Sequence, residues 1–245
     1  MAKLSVNINK IALLRNARGR NYPDVAAFAD RCLQLGADGI TLHPRPDQRH
    51  ARYGDVVELQ AVTAAHGSEL NVEGFPASEF LQVVHRVRPA QCTLVPDAPD
   101  QLTSDHGWNL LRDAELLRPV IYRLKEEGIR VSLFVDVEID QAQLTIAAQL
   151  GADRVELYTE PYAEQSGASH QDLMLQAFRA TALRATQAGL GINAGHDLNL
   201  HNLARFLTLP DILEVSIGHA LIVESIDLGL PAVLAAYRAI IDAAS

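Results

Sequence analysis

Cysteine is scarce in this chain. Of 245 residues only Cys32 and Cys92 carry a thiol. They stand far apart without metal-binding spacing, so they read as buried free thiols of a reducing compartment rather than as a disulfide framework or a zinc site. Positive charge is also in short supply. The net charge of −9 argues against a general nucleic-acid surface, though local basic clusters can still bind small anions. No apolar run approaches the roughly 18 residues of a membrane span. The short apolar run in MAKLSVNINK is too brief for a secretion signal. There is no Pro/Gly/Ser-rich linker and no low-complexity tract. These absences lead to the expectation of a soluble, cytoplasmic protein, folded as one domain over residues 1–245, with neither membrane nor nucleic acid as partner.

What is present is a rhythm. Hydrophobic residues make up 48% of the chain, enough for a sizeable core. Short apolar runs recur: LSVNI (4–8), GITLH (39–43), ELNVEG (69–74), QCTLVP (91–96), RVSLFVD (130–136), RVELYTE (154–160), GLGINAGH (189–196) and ILEVSIGH (212–219). Most are rich in Val, Ile and Leu, as expected of parallel strands covered on both faces. Helical patterns lie between them, one opening at Pro23–Asp24 and another spanning 113–128 with Pro119 as a potential kink. LGADGI (35–40) and LGADRV (150–155) repeat almost verbatim, each a helix end with a glycine stop leading into a strand. Eight such alternations in about 250 residues predict a (β/α)8 TIM barrel with extra helices, with an open doubly wound sheet as the alternative. Segment 97–112 is long for a strand-to-helix connection and is expected to carry an insertion or lid. Helix 229–244 has an apolar face expected to pack on the barrel.

In such barrels the chemistry sits at the C-terminal ends of the strands. Strand 1 offers Asn7, Asn9 and Lys10, followed by an Arg-rich loop, RNARGR. Strand 2 offers His43, then Arg45, Arg49 and His50. Strand 3 offers Glu73; Thr103 follows strand 4; Asp136 ends strand 5. Strand 6 offers Glu156, Tyr158 and Glu160, strand 7 Asn193 and His196, and strand 8 Gly218 and His219. Any one of these alone reads as a solvated strand end, and the loop arginines alone as a solvated basic surface. Histidine or carboxylate on six ends of eight is a different matter. Glu156 alternates with Val155 and Leu157 and is expected inside, where a carboxylate must be paired or shift its pKa. Histidines titrate near neutrality and a buried glutamate can be raised toward it, so this rim suits general acid–base work. Arginines suit phosphate through forked contacts, and the glycine turns NAGH and IGHA suit an anion at a helix N-terminus. No His-x-His or HExxH spacing calls for a metal.

VNINKIALLRNARG (6–19), ADGITLHPRPDQRH (37–50), LNVEG (70–74), LVPD (94–97), VSLFVD (131–136), VELYT (155–159), INAGHDLN (192–199) and SIGHALI (216–222) together resemble the pyridoxine 5′-phosphate synthase family, over essentially the whole chain. The resemblance implies a transferase-type, ring-closing enzyme of vitamin B6 biosynthesis. It implies a (β/α)8 barrel assembled as a homo-octamer, with no metal or organic cofactor. The implied substrates are 3-amino-2-oxopropyl phosphate and 1-deoxy-D-xylulose 5-phosphate, and the products pyridoxine 5′-phosphate, phosphate and water. By position it implies His43 and Glu73 as proton acceptors, His196 as proton donor and Glu156 as the group stabilising transition-state charge. It further implies Asn7, Asn9, Lys10, Arg18, Arg45, His50, Thr103, Asp197, Gly218 and His219 as substrate contacts. The chain departs from the family pattern at Asn9–Lys10, where many members read Asp–His, and at Asp197, where many have glycine. It departs again at Tyr158–Thr159–Glu160, where members often read His–Thr–Gly.

The residues alone also admit other readings: a sugar-phosphate aldolase or isomerase, or a barrel that binds a phosphorylated metabolite without turnover. A Schiff-base aldolase would depend on Lys10, the one lysine near a strand end.

Overall fold

In the computed structural model, which describes residues 1–97, 101, 104–165 and 168–244, eight parallel strands close into a barrel in chain order. They are β1 (Lys3–Asn7), β2 (Gly39–Leu42), β3 (Glu69–Gly74), β4 (Gln91–Leu94), β5 (Arg130–Val135), β6 (Arg154–Tyr158), β7 (Gly191–Gly195) and β8 (Ile212–Ile217), with β8 returning beside β1. Around them run α1 (Asn9–Asn16), α2 (Val25–Gln34), α3 (Tyr53–His66), α4 (Ser78–Val87), α5 (Leu110–Glu126), α6 (Gln141–Leu150), α7 (Glu160–Ala163), α8 (Ala168–Gln187), α9 (Leu203–Phe206), α10 (His219–Leu228) and α11 (Leu230–Ala243). All eight expected strands are present, and α5 continues through Pro119. The open-sheet alternative is excluded by the closure.

The repeated LGAD phrase has a structural job. Gly36 and Gly151 end their helices at φ 99° and 92°, a region open to glycine and costly for other residues. The aspartate that follows reaches back to the preceding strand. Asp38 accepts the Leu4 N–H at 2.8 Å, and Asp153 accepts the Val131 N–H at 2.8 Å. One phrase therefore stops a helix and registers the next strand against the last.

The two faces of the barrel wall differ. Leu4, Val6, Ile40, Leu42, Leu70, Val72, Val155 and Leu157 are buried in the core between strands and helices, and α11 adds Val233, Leu234, Tyr237 and Ile241 to it. Most of the alternate residues face the lumen and are polar, with Phe134 of β5 an apolar exception. Thr93 donates to Asn71 (3.0 Å) and Glu156 (3.4 Å), Ser5 pairs with Thr41 (2.6 Å), and Asn193 and Glu214 reach Gln91 across the barrel (3.3 and 3.4 Å). Most strands therefore have one apolar and one polar face, a departure from the strands apolar on both faces that their Val, Ile and Leu content suggests. Asn193 accordingly belongs to this inner layer, where it accepts from Arg154 (3.0 Å), and not to the rim.

The chain after β1 also departs from expectation. Helix α1 stands between β1 and the Arg-rich segment RNARGR, whose first two residues, Arg15 and Asn16, close it; its first turn is started by the Asn7 side chain accepting the Asn9 N–H at 3.0 Å. Eight residues are too few for a clear helical periodicity. Arg15 is not a solvated loop arginine. It is 2% exposed and forked onto Asp55 at 2.5 and 2.9 Å. Beside it Asn16 donates to the carbonyls of Arg49 and His50 at 3.0 and 2.8 Å, so the end of α1 fixes the loop that follows β2. Removing one partner of a buried pair strands the other charge. Asp55→Ala is therefore expected to lower the unfolding free energy by about 3–5 kcal/mol, read from the denaturant midpoint; a change below about 1 kcal/mol would show that the pair contributes little.

Candidate active site

A cavity of about 440 Å³ opens at the C-terminal ends of the strands. Most strand exits contribute to it, whereas Asp136 at the end of β5 lines a separate cavity. Asn7 comes from β1, with Asn9 and Lys10 from the first turn of α1. His43, Arg45 and His50 come from β2 and its loop, Glu73 from β3, Glu156 from β6, His196 and Asp197 from the turn after β7, and Gly218 and His219 from the start of α10; all line the cavity. Arg49, Ser104 and Ser216 join them. Arg18 sits exposed beyond the end of α1 and does not line it. Thr103 lies outside the described residues.

Local folding explains several of these positions. The Asn9 amide oxygen accepts the His43 N–H at 2.9 Å, so this residue ties the top of β1 to the top of β2. Gly195 is required by Glu156: a Cβ there would stand 2.6 Å from Oε1 of the carboxyl. Past Gly195 the chain turns sharply, with His196 at φ 85° and Asp197 at φ 60°, a conformation that side-chain-bearing residues hold only when their surroundings enforce it. The enforcement comes from Thr159. Its hydroxyl reaches the carbonyls of Gly195 (2.7 Å) and His196, and its N–H donates to Gly195 at 2.9 Å. The imidazole of His196 packs between Phe134 and Tyr158, with ring centroids 5.0 and 5.3 Å away. Tyr158 is thus an aromatic wall for the histidine. Glu160 opens the short helix α7.

Burial governs the titrations. Glu73 and Glu156 are 5% and 1% exposed. Desolvation pushes Glu73 up to about 8, with Asp97 and Glu214 adding to the rise and Arg45 opposing it. Burial first, then the charges of Glu73 and Glu214, hold Glu156 well above the usual carboxylate range. Burial also presses His43 well below the usual histidine range, helped by Arg45 and His50, and lowers His50 to about 4. His196 is lowered by burial too, with Asp197 pulling the other way. The acids are therefore disposed to hold protons and the histidines to release them.

Two features escaped the reading of the sequence. Asp97 lies buried, 2.5 Å from Arg45 and 2.8 Å from the Ser104 hydroxyl; it ends the LVPD motif, but nothing in that motif tells which partners it meets. Thr159 supports His196 from a neighbouring strand, a relation that only the fold reveals. Among the described residues no three His, Cys, Asp or Glu side chains gather as a metal-binding group.

The family model "Pyridoxal phosphate biosynthesis protein PdxJ" matches residues 4–243. The chain belongs to this family. A pyridoxine 5′-phosphate synthase of Xylella fastidiosa (strain M23) is 51% identical, over 98% of this chain and 95% of its own length. One of Xanthomonas campestris pv. campestris (strain B100) is 52% identical, over 97% and 95%. Among solved structures, the tryptophan synthase alpha subunit of Legionella pneumophila superposes with a TM-score of 0.66 at 16% identity, over 98% of this chain and 93% of that one; this likeness concerns the barrel fold alone.

A raised native pKa means that the folded PdxJ-family chain keeps a proton on Glu73 that the unfolded chain has released. Its stabilising share is complete below the ordinary glutamate value of 4.5 and is lost as pH rises toward 8. Glu73→Gln should flatten the decline of stability across that window in denaturant titrations. A decline of the same slope in wild type and variant would remove Glu73 from the account.

Proposed function

We propose that this chain is a pyridoxine 5′-phosphate synthase, a ring-closing enzyme that condenses 3-amino-2-oxopropyl phosphate with 1-deoxy-D-xylulose 5-phosphate and releases phosphate and water. The observation that carries this reading is the meeting of His43, Glu73, Glu156 and His196 in one cavity of a family member. Joining an amine to a ketone, expelling water and phosphate, and closing an aromatic ring moves a proton at most steps, and several acid–base groups around one cavity answer that need.

The roles follow from the environments. His43, neutral at physiological pH, and Glu73, titrating near neutrality, act as proton acceptors. His196, whose conjugate acid is made stronger by burial, donates protons. Glu156, disposed by its burial to hold a proton, donates a hydrogen bond to charge that develops on a substrate oxygen. One phosphate is held at the start of α10, where Gly218 precedes the helix and lines the cavity together with His219 and Asp197, as helix N-termini suit anions. The other is held by Lys10, Arg45 and His50, with Asn7 and Asn9 fixing the sugar end. Arg18 and Thr103 are assigned as further substrate contacts. No metal or organic cofactor enters this scheme.

We further place the enzyme in the cytoplasm, as one barrel domain that assembles into a homo-octamer. The two unpaired, buried cysteines suit a reducing compartment. No helix among the described residues is long and apolar enough to cross a membrane. Leu13 and Leu14 on α1 and Ile226 on α10 are left exposed on adjoining helices, a surface that supports association.

The test is a product assay with both phosphorylated substrates and no added metal. Wild type is expected to form pyridoxine 5′-phosphate, and His196→Ala to lose at least about a hundredfold in rate, the usual scale of a positioned acid. A folded wild type that binds either phosphate without making product would favour the non-catalytic reading.

A further inference from the structure

We propose that Asp97 is a positioning residue of this site: the buried counter-charge that fixes Arg45 and stands beside His43. The inference deepens the reading above and rests on it for the meaning of the site. Four observations support it. Asp97 is 5% exposed, so its charge is not screened by water. Oδ2 pairs with Arg45 Nη2 at 2.5 Å and accepts from Ser104 at 2.8 Å. The same oxygen stands 3.9 Å from Nε2 of His43. Its other oxygen, Oδ1, is buried and has no hydrogen-bond partner among the described residues.

A buried carboxylate paired with an arginine and close to a histidine performs two tasks. Its Oδ2 holds the Arg45 guanidinium on one side, so that arginine enters the site at a fixed angle. The same carboxylate, 3.9 Å from Nε2 through Oδ2, stands beside the His43 ring as its counter-charge once that ring has accepted a proton. The reach of Asp97 extends beyond its contacts. Its charge raises Glu73 alongside burial and Glu214, and it raises His196, while Arg45 lowers both. Around Glu73 the charged and titratable neighbours are thus Asp97, Glu214 and Arg45, together with Glu156 and Cys92, which Glu73 itself perturbs. Asp97 and Arg45 act on Glu73 with opposite sign, and that opposition makes the idea testable.

The experiment follows the side-chain carboxyl of Glu73 by carbon-13 NMR on glutamate-labelled full-length protein, assigned with Glu73→Gln. Wild type is expected to titrate near 8. Asp97→Asn should move the midpoint down by about one pH unit, and Arg45→Gln, which leaves Asp97 uncompensated, should move it up. Asp97→Glu, which keeps the charge, should stay near the wild-type value. A residue that merely packed would not produce opposite shifts. If Asp97→Asn does not fold, the upward shift in Arg45→Gln still decides. An unmoved midpoint in either charge variant, or shifts of the same sign, overturns the proposal. In the product assay the acid limb of the kcat/KM profile should move to lower pH in Asp97→Asn. The titration needs no turnover: opposite shifts in a protein that makes no product would leave the positioning role standing and reject the assigned reaction.

Discussion

Desolvation of a few titratable groups at one end of the barrel is the constraint on which the rest depends. Glu73, Glu156 and His43 are almost wholly removed from water, and water is what ordinarily lets such groups ionise. The carboxyls are pushed up and the imidazoles down until the usual order of their proton affinities is reversed. A site built this way stocks both acceptors and donors near neutral pH without a metal among its protein groups. Arg45 and Asp97, paired at 2.5 Å, keep the net charge of the rim from collapsing that balance.

Such a site needs a scaffold that tolerates polarity inside. The lumen supplies it through a continuous set of hydrogen bonds from Ser5 and Thr41 through Asn71 and Thr93 to Glu156. At the opposite end the barrel is closed by ion pairs: Glu69 meets both Lys3 and Arg130, and Arg154 approaches Glu214 at 3.8 Å. The apolar core has been moved outward, between strands and helices, where it can stabilise the fold without crowding the chemistry. The cost of holding His196 and Asp197 at positive φ is carried by Thr159 and by the aromatic pair Phe134 and Tyr158, which leaves the imidazole little freedom to turn.

Much of this was legible in the sequence, for identifiable reasons. Strands show as short Val/Ile/Leu runs because one face of each is apolar, and the glycine of LGAD marks its helix end because φ near 90° excludes most other residues. Rim residues such as His43, Glu73 and His196 stand at strand exits, so the period of the fold locates them. Alternation in KLSVN, ELNVE and RVELY already encodes a polar lumen, although composition alone suggests strands apolar on both faces. What could not be read was tertiary. Arg15 looks like its neighbours Arg18 and Arg20 until Asp55, distant in the chain, is folded against it. Asp97 gains meaning only from Arg45 and His43, and Thr159 only from a neighbouring strand.

The central claim, that burial keeps a proton on the lumen carboxyl at neutral pH, is tested most directly by difference infrared spectroscopy of wild type against Glu156→Gln. The account predicts that the variant loses a protonated-carboxyl C=O band at neutral pH. Loss of carboxylate bands alone, with no protonated band to lose, would contradict it.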